Sequence, residues 1–131
     1  MAAAETYTDD LKYHREHDWA RIDGDEAVLG ITWFAQDSLG ELVHYEAPEQ
    51  GASVTRDTPY GEVESVKAVS DVISPLSGEI LEVNPGVVDA PEIVNEDPYG
   101  DGWLIRIRLS DPSEVDSLLD VDAYKQVVAE S

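Results

Sequence analysis

The run WLIRIRL, Trp103 to Leu109, alternates with a period of two: Trp103, Ile105, Ile107 and Leu109 share one face, Arg106 and Arg108 the other. Side chains of an extended strand point alternately to opposite faces, so this run predicts a strand with one buried and one wetted side. Such a strand needs neighbours and a core beneath it. Shorter extended candidates are Trp19 to Ile22, Ala27 to Ile31, Leu42 to Ala47, Glu62 to Val66, Val69 to Ser74 and Glu79 to Val83. Turn signals separate them: DGDE (Asp23 to Glu26), SPLSG (Ser74 to Gly78), where Pro75 and Gly78 suit a type I turn, and NPG (Asn84 to Gly86). Many short strands with frequent turns predict a small barrel or sandwich. The segments GEVESV (Gly61 to Val66) and GEILEV (Gly78 to Val83) share a Gly-Glu-apolar-x-x-Val pattern, a faint sign of a duplicated hairpin.

Short helices interrupt the strands. Thr32 is placed to cap a helix that runs through Leu39 and stops at Gly40; Pro91 opens a helical turn through Asn95. Asp111 and Glu114 around Pro112 form a capping-box pattern for a helix through Leu119, and Asp120 or Asp122 starts a last one. Its Val121, Tyr124 and Val128, at helical spacing, are expected to pack on the strands. At 131 residues, 42% of them apolar, the chain has material for one core. A single unit over residues 1–131 is expected, with about residues 1–10 frayed and C-terminal helices over about 111–131.

Charge excludes several partners. Twenty-nine Asp and Glu against 8 Lys and Arg give a formal charge of -21, which repels nucleic-acid phosphates and anionic membrane surfaces. No stretch approaches the apolar length of a membrane span, and the opening MAAAETYTDDLKY is acidic where a leader would be basic, so a cytoplasmic location is expected. Periodic Val, Ile, Leu and Trp distinguish the chain from an acidic disordered tail. Excess carboxylate suits a halophilic protein, whose self-repulsion is screened by concentrated salt; an acidic docking surface in ordinary cytoplasm is the competing explanation. There is no cysteine, hence no disulfide, thiolate nucleophile or cysteine metal site.

Motifs of autonomous catalysis are missing: no GxxxxGK[ST], GxGxxG, HExxH or GxSxG. His14 and His17 lie three apart in YHREHDW beside Glu16 and Asp18, a metal-binding arrangement only if helical. With carboxylates so abundant, most must be solvated surface, and none stands out as an acid or base. Lysine is the rare residue: Lys12, Lys67 and Lys125 are the whole inventory. Lys67 falls between two strand candidates, at an exposed hairpin tip. A solvated tip lysine or an edge-strand guard is the ordinary reading of such a place. In this composition Ser, Asp or Glu would serve equally well, which favours an amine kept for modification; acylation would turn it into a long neutral arm.

GEVESVKAVSDVISPLSGEILEVN (Gly61 to Asn84) resembles the lipoyl-attachment region of the glycine cleavage H-protein family. EHDW (Glu16 to Trp19), GITWFAQDSLGELVHYEAPEQG (Gly30 to Gly51) and PEIVNEDPYGDGWLIRIRLSDPSEVDSLLD (Pro91 to Asp120) extend the resemblance over roughly residues 11 to 128. It implies a mainly β fold with added short helices, the barrel-sandwich hybrid of lipoyl and biotinyl carriers. It makes Lys67 the N6-lipoyllysine, with Glu64 and Gly78 at positions read by lipoylation enzymes. The implied role is that of a carrier and not an enzyme: the arm accepts the aminomethyl group after the P protein decarboxylates glycine, presents it to the T protein, and is reoxidised by the L protein. Glu16, His17, Asp18 and Asp71 match a cleft that shelters the loaded arm. Asp18 stands where the family usually has Glu, and Trp33 where it commonly has Asp. A monomer is expected. Competing readings are a lipoyl domain of a 2-oxoacid dehydrogenase, disfavoured by the C-terminal helices and NEDPYGDGW; a biotin carrier, disfavoured by Val66 and Ala68 where methionines are usual; and an unmodified acidic binding module.

Overall fold

The computed structural model describes residues 3–131. Its strands are β1 (Lys12–His14), β2 (Asp18–Asp23), β3 (Glu26–Ile31), β4 (Leu42–Glu46), β5 (Ser53–Val54), β6 (Pro59–Ser65), β7 (Val69–Ile73), β8 (Gly78–Val83) and β9 (Ile105–Leu109). The α-helices are α1 (Trp33–Leu39), α2 (Pro85–Asp89), α3 (Ile93–Glu96) and α4 (Val121–Ala129), and Pro112–Ser117 forms a 3-10 helix.

Two antiparallel sheets make a sandwich. One has the order β1-β2-β3-β9-β8-β5, the other β4-β6-β7. The sheets keep free edges, so the architecture is that of the sandwich and not of a closed barrel. Strand β9 is central in the larger sheet, with Ile105, Ile107 and Leu109 buried as the alternation of WLIRIRL predicts; Trp103 departs from it, lying before the strand and packing half-buried on the second, aromatic cluster. On the wet face Arg108 meets Glu79 at 3.6 Å, and Arg106 meets Glu82 at 3.5 Å and Glu26 at 3.7 Å. Leu104, between the alternating positions, is also buried because its N–H reaches across to the Leu29 carbonyl before regular pairing begins.

The main core lies between the sheets and includes Leu29, Leu42, Val63, Val72, Leu76, Ile80, Ile105 and Ile107. A second cluster of Leu11, Tyr13, Trp19 and Tyr124 fills the space under α4. The Tyr13 and Tyr124 rings stack there at 4.6 Å. The two Gly-Glu-apolar segments become β6 and β8, in different sheets. Both of their glycines are places of close approach: a Cβ on Gly61 would lie 2.6 Å from the Glu46 carbonyl oxygen, and one on Gly78 would collide with the Arg108 carbonyl.

Helix caps follow the side chains expected, with three differences. Thr32 and Asp120 cap α1 and α4 by accepting from Ala35 N and Ala123 N. The NPG turn opens the short helix α2, because Asn84 accepts from Gly86 N and Pro85 has no N–H to lose. Around Pro112 the coil tightens to a 3-10 helix ending at Ser117; Asp111 caps it, while Glu114 turns away to bind the Ser77 N–H and hydroxyl. Within residues 1–10, expected to fray, the described part is hydrogen-bonded to the rest of the fold. Trp33 Nε1 donates to the Ala3 carbonyl at 2.7 Å, Tyr99 O–H to Thr6, and Tyr13 O–H to Thr8.

Trp19 fixes how β2 lies on β3. Its Nε1 donates to the Pro98 carbonyl at 3.0 Å, and its ring covers Gly30, the directly opposing residue. A Cβ on Gly30 would sit 2.6 Å from Trp19 Cζ2. Gly30→Ala is therefore expected to destabilise the fold by about 1–3 kcal/mol, as overpacking of a filled interior does, read as a lowered midpoint in urea with an unchanged slope.

Candidate functional site

The β6–β7 hairpin is built around Ser65. Its backbone N–H donates to the Ala68 carbonyl at 2.8 Å, and its hydroxyl accepts from the N–H groups of Lys67 at 3.3 Å and Ala68 at 3.1 Å. Ser65 is itself buried and faces Leu42 of β4, so the connecting Val66, Lys67 and Ala68 are held from below. A serine that satisfies two turn N–H groups does the work that glycine does elsewhere, without the loss of rigidity. All three tip side chains are exposed, and Val66 at 77% and Val69 at 60% are the most exposed large apolar residues described.

Lys67 rests its stem over the end of α1. A Cβ on Gly40 would lie 3.5 Å from Lys67 Cε, and Gly40 ends α1 at φ +85° and ψ -163°, an extended positive-φ conformation open to glycine alone. The NEDPYGDGW segment holds this corner. Asn95 accepts from Leu42 N at 2.9 Å and donates to the Gly40 carbonyl and the Gln36 side chain, both at 2.9 Å. Beyond Gly40 lies an open acidic cleft of about 370 Å³, lined by Asp37, Glu41, Glu92 and Glu96. Among the described residues no carboxylate comes within 4.0 Å of the Lys67 amine.

The other residues singled out in the sequence are dispersed. Glu64 is exposed on β6, between His44 of β4 and Val69 of β7. Asp71 is exposed on β7 opposite Glu62, which faces Glu46, so three carboxylates stand in one row across the smaller sheet. Gly78 is buried in the larger sheet, where the close approach of Arg108 already requires a glycine. Glu16 sits on the β1–β2 turn and lines a cavity of about 550 Å³, together with Tyr13, His14, Arg56, Asp57 and Ile73.

His14 and His17 lie on a strand end and a turn, not on a helix, and their rings take different partners. His14 Nε2 contacts Asp57 Oδ1 at 2.6 Å, and its hydrogen bond holds the Asp57 carboxyl below the usual range. His17 Nδ1 meets the Tyr124 hydroxyl at 2.9 Å, while its ring packs on Phe34. Burial pushes the His17 imidazole down. Asp18 is 2% exposed, with an Oδ2 that has no hydrogen-bond partner. Burial, with the Glu16 charge adding, pushes its carboxyl well above the ordinary carboxylate range. The hydroxyls of Tyr45 and Tyr60 are likewise buried without partners. Thus the surface cleft expected of Glu16, His17, Asp18 and Asp71 is not one open set: Asp18 is interior, because β2 begins there and turns it toward the core.

A model of the glycine cleavage H-protein matches residues 11–131. The chain belongs to that family. H proteins resembling it come from distant sources. One from Symbiobacterium thermophilum is 50% identical, covering 88% of this chain and 90% of its own. The probable H protein of Haloarcula marismortui is 49% identical over 92% of this chain and 94% of its own. The crystal structure of the H protein from Mycobacterium marinum superimposes with a TM-score of 0.87 at 39% identity, covering 94% of this chain and 99% of that one. Sequence reasoning reached the family through its lysine motif but not Ser65, whose hydroxyl acts only once β6 and β7 pair. Nor did it reach the His14–Asp57 contact, which spans 43 positions.

The buried Asp18 makes a pH prediction. A carboxyl whose folded pKa lies above its unfolded value destabilises the fold as pH rises from the unfolded value through the folded one, because ionisation is opposed by burial. Asp18→Asn is therefore expected to raise the melting temperature at pH 8, and the gain should shrink toward zero as the pH is lowered to about 4, the unfolded carboxyl value.

Proposed function

We propose that the chain is the lipoyl carrier of glycine cleavage, with lipoate joined to the amine of Lys67. The supporting observation is the tip itself: a rigid, serine-pinned hairpin that presents one exposed lysine between exposed valines. An acyl chain fits this place, because Val66 and Val69 offer apolar contact to its methylenes and no ion pair has to be broken to acylate the amine. Bound there, the dithiolane supplies the disulfide that takes up the aminomethyl group from the P protein, and the thiols that the L protein reoxidises after the T protein has taken the one-carbon unit. The chain's own part is to carry and to shelter, not to catalyse. Lipoylation enzymes reading the exposed Glu64 beside the tip would complete the set of partners.

The arm has a path along β7. Val69, Asp71 and Ile73 alternate with the buried Val72 and so line the outer face, over ~13 Å of strand at ~3.3 Å per residue. Ile73 is also a wall of the 550 Å³ cavity, where Glu16 waits at the rim. Glu16 and Asp71 are the acidic groups exposed to a cationic amine on the arm. His17 holds the turn that carries Glu16: its carbonyl accepts from Thr32 N, and its N–H donates to the His14 carbonyl, while Asp18 follows as the first, buried residue of β2, paired with His14.

Lys67→Arg keeps the charge and the hairpin but removes the acylatable primary amine. It is expected to retain the wild-type melting temperature, to show no lipoyl increment by intact mass, and to lose all glycine–carbon dioxide exchange with the P protein; retained exchange would sink the carrier reading. Cytoplasmic work as a monomer in a salt-rich cell accounts for the remaining surface. The row Glu46–Glu62–Asp71 has like charges directly opposed, with no Lys or Arg paired to it. Screening length falls from ~30 Å at 0.01 M to ~3 Å at 1 M salt. Thermal melting should accordingly shift upward on going from near-zero to molar potassium chloride, and a flat response would remove the halophilic explanation.

A further inference from the structure

The 550 Å³ cavity is crossed by a chain of side chains that stability alone does not explain. Asp57 has φ +68°, and it and His17 are the non-glycine residues described with a left-handed backbone. Asp57 is the third residue of the turn that the Thr58 N–H closes on the Thr55 carbonyl at 3.1 Å, a place where Asp takes a left-handed backbone readily and where its side chain is aimed over the cavity. Asp57 Oδ1 accepts from His14 Nε2 at 2.6 Å, and its Oδ2 from Arg56 Nε at 3.4 Å. Because His14 Nδ1 accepts from the Glu16 N–H at 3.0 Å, the neutral imidazole carries its proton on Nε2, aimed at Asp57. Arg56 in turn donates to the Ser117 hydroxyl at 2.9 Å.

Glu16, His14, Asp57, Arg56 and Ser117 thus link the β1–β2 turn, the β5–β6 loop and the 3-10 helix, and all five line the cavity. With Asp57 57% and Arg56 39% exposed, ion pairs of this kind stabilise little, so their links across the cavity are not explained by stability. The cavity is what the links enclose. We propose that His14 and Asp57 form a strap across this cavity that retains the loaded arm and fixes Glu16 beside its amine. This rests on the reading that the arm of Lys67 docks there. Both act as positioning residues: they brace the rim of the cavity and leave the chemistry to the partner enzymes.

The test uses lipoylated protein loaded with its aminomethyl group and freed of partners, and follows ammonia release. Water cleaves the carbon–sulfur bond in that release, leaving the arm's thiol, formaldehyde and ammonia. Wild type, His14→Ala, His14→Asn and Asp57→Gly are compared with wild type in urea, where no cavity exists. Asp57→Gly keeps the positive-φ backbone of the turn, so the variant should still melt cooperatively near the wild-type temperature while ammonia release accelerates at least several-fold. His14→Ala should accelerate release similarly, and His14→Asn, whose amide can still donate to Asp57, should recover much of the protection. Protection in wild type with no acceleration in Asp57→Gly or His14→Ala overturns the strap alone. Release from folded wild type as fast as in urea overturns docking of the arm, and the strap with it.

Discussion

One hydroxyl ties the C-terminal helix to the start of α1 and to the β1–β2 turn. Tyr124 of α4 shares its O–H with Thr32 Oγ1 at 2.6 Å and His17 Nδ1 at 2.9 Å, partners 92 and 107 positions away. Thr32 is the N-cap of α1, and His17 is the left-handed residue of the β1–β2 turn. With its ring stacked on Tyr13, Tyr124 docks the C-terminal helix, starts α1 and sets the turn in a single buried place. Such a group has no water to fall back on, so its hydrogen bonds are exacting where surface ones are forgiving. Glu16 and His14 flank that turn, and the cavity they line inherits its geometry.

The Lys67 hairpin depends on a different economy. It is fixed through Ser65, which lies in the buried layer while its hydroxyl holds the tip. Asn95 does the same for the neighbouring corner by joining α1, Gly40 and β4. Both are short polar side chains buried with their partners satisfied, the condition under which burial of polarity specifies a structure instead of weakening it.

Much of the fold was legible in the sequence because its signals are local. Alternation in WLIRIRL, the caps Thr32 and Asp120, and the Gly40 stop each act within a few residues, and each appears as expected. The misses were contests between local and distant partners. Glu114 suits a capping box, yet the Ser77 N–H and hydroxyl offer it two hydrogen bonds from across the fold. Residues 3–10 carry no periodic signal, but Trp33, Tyr99 and Tyr13 collect their backbone groups. Lys12–His14 is too short to announce itself as a strand and exists because Asp18–Ala20 pair with it.

The sequence by itself determined that this chain is a β-rich acidic carrier of the H-protein family, with one conspicuous lysine in a hairpin; period, turn chemistry, composition and motif are all written along the chain. The tertiary structure decided what surrounds that lysine. Whether a carboxylate is surface or interior depends on which way its strand faces the core, so Asp18 went in while Glu16 and Asp71 stayed out. His14 and Asp57 are ordinary residues until folding brings them to 2.6 Å. Contacts between distant positions are products of packing, and packing is a property of the whole chain that no short stretch contains.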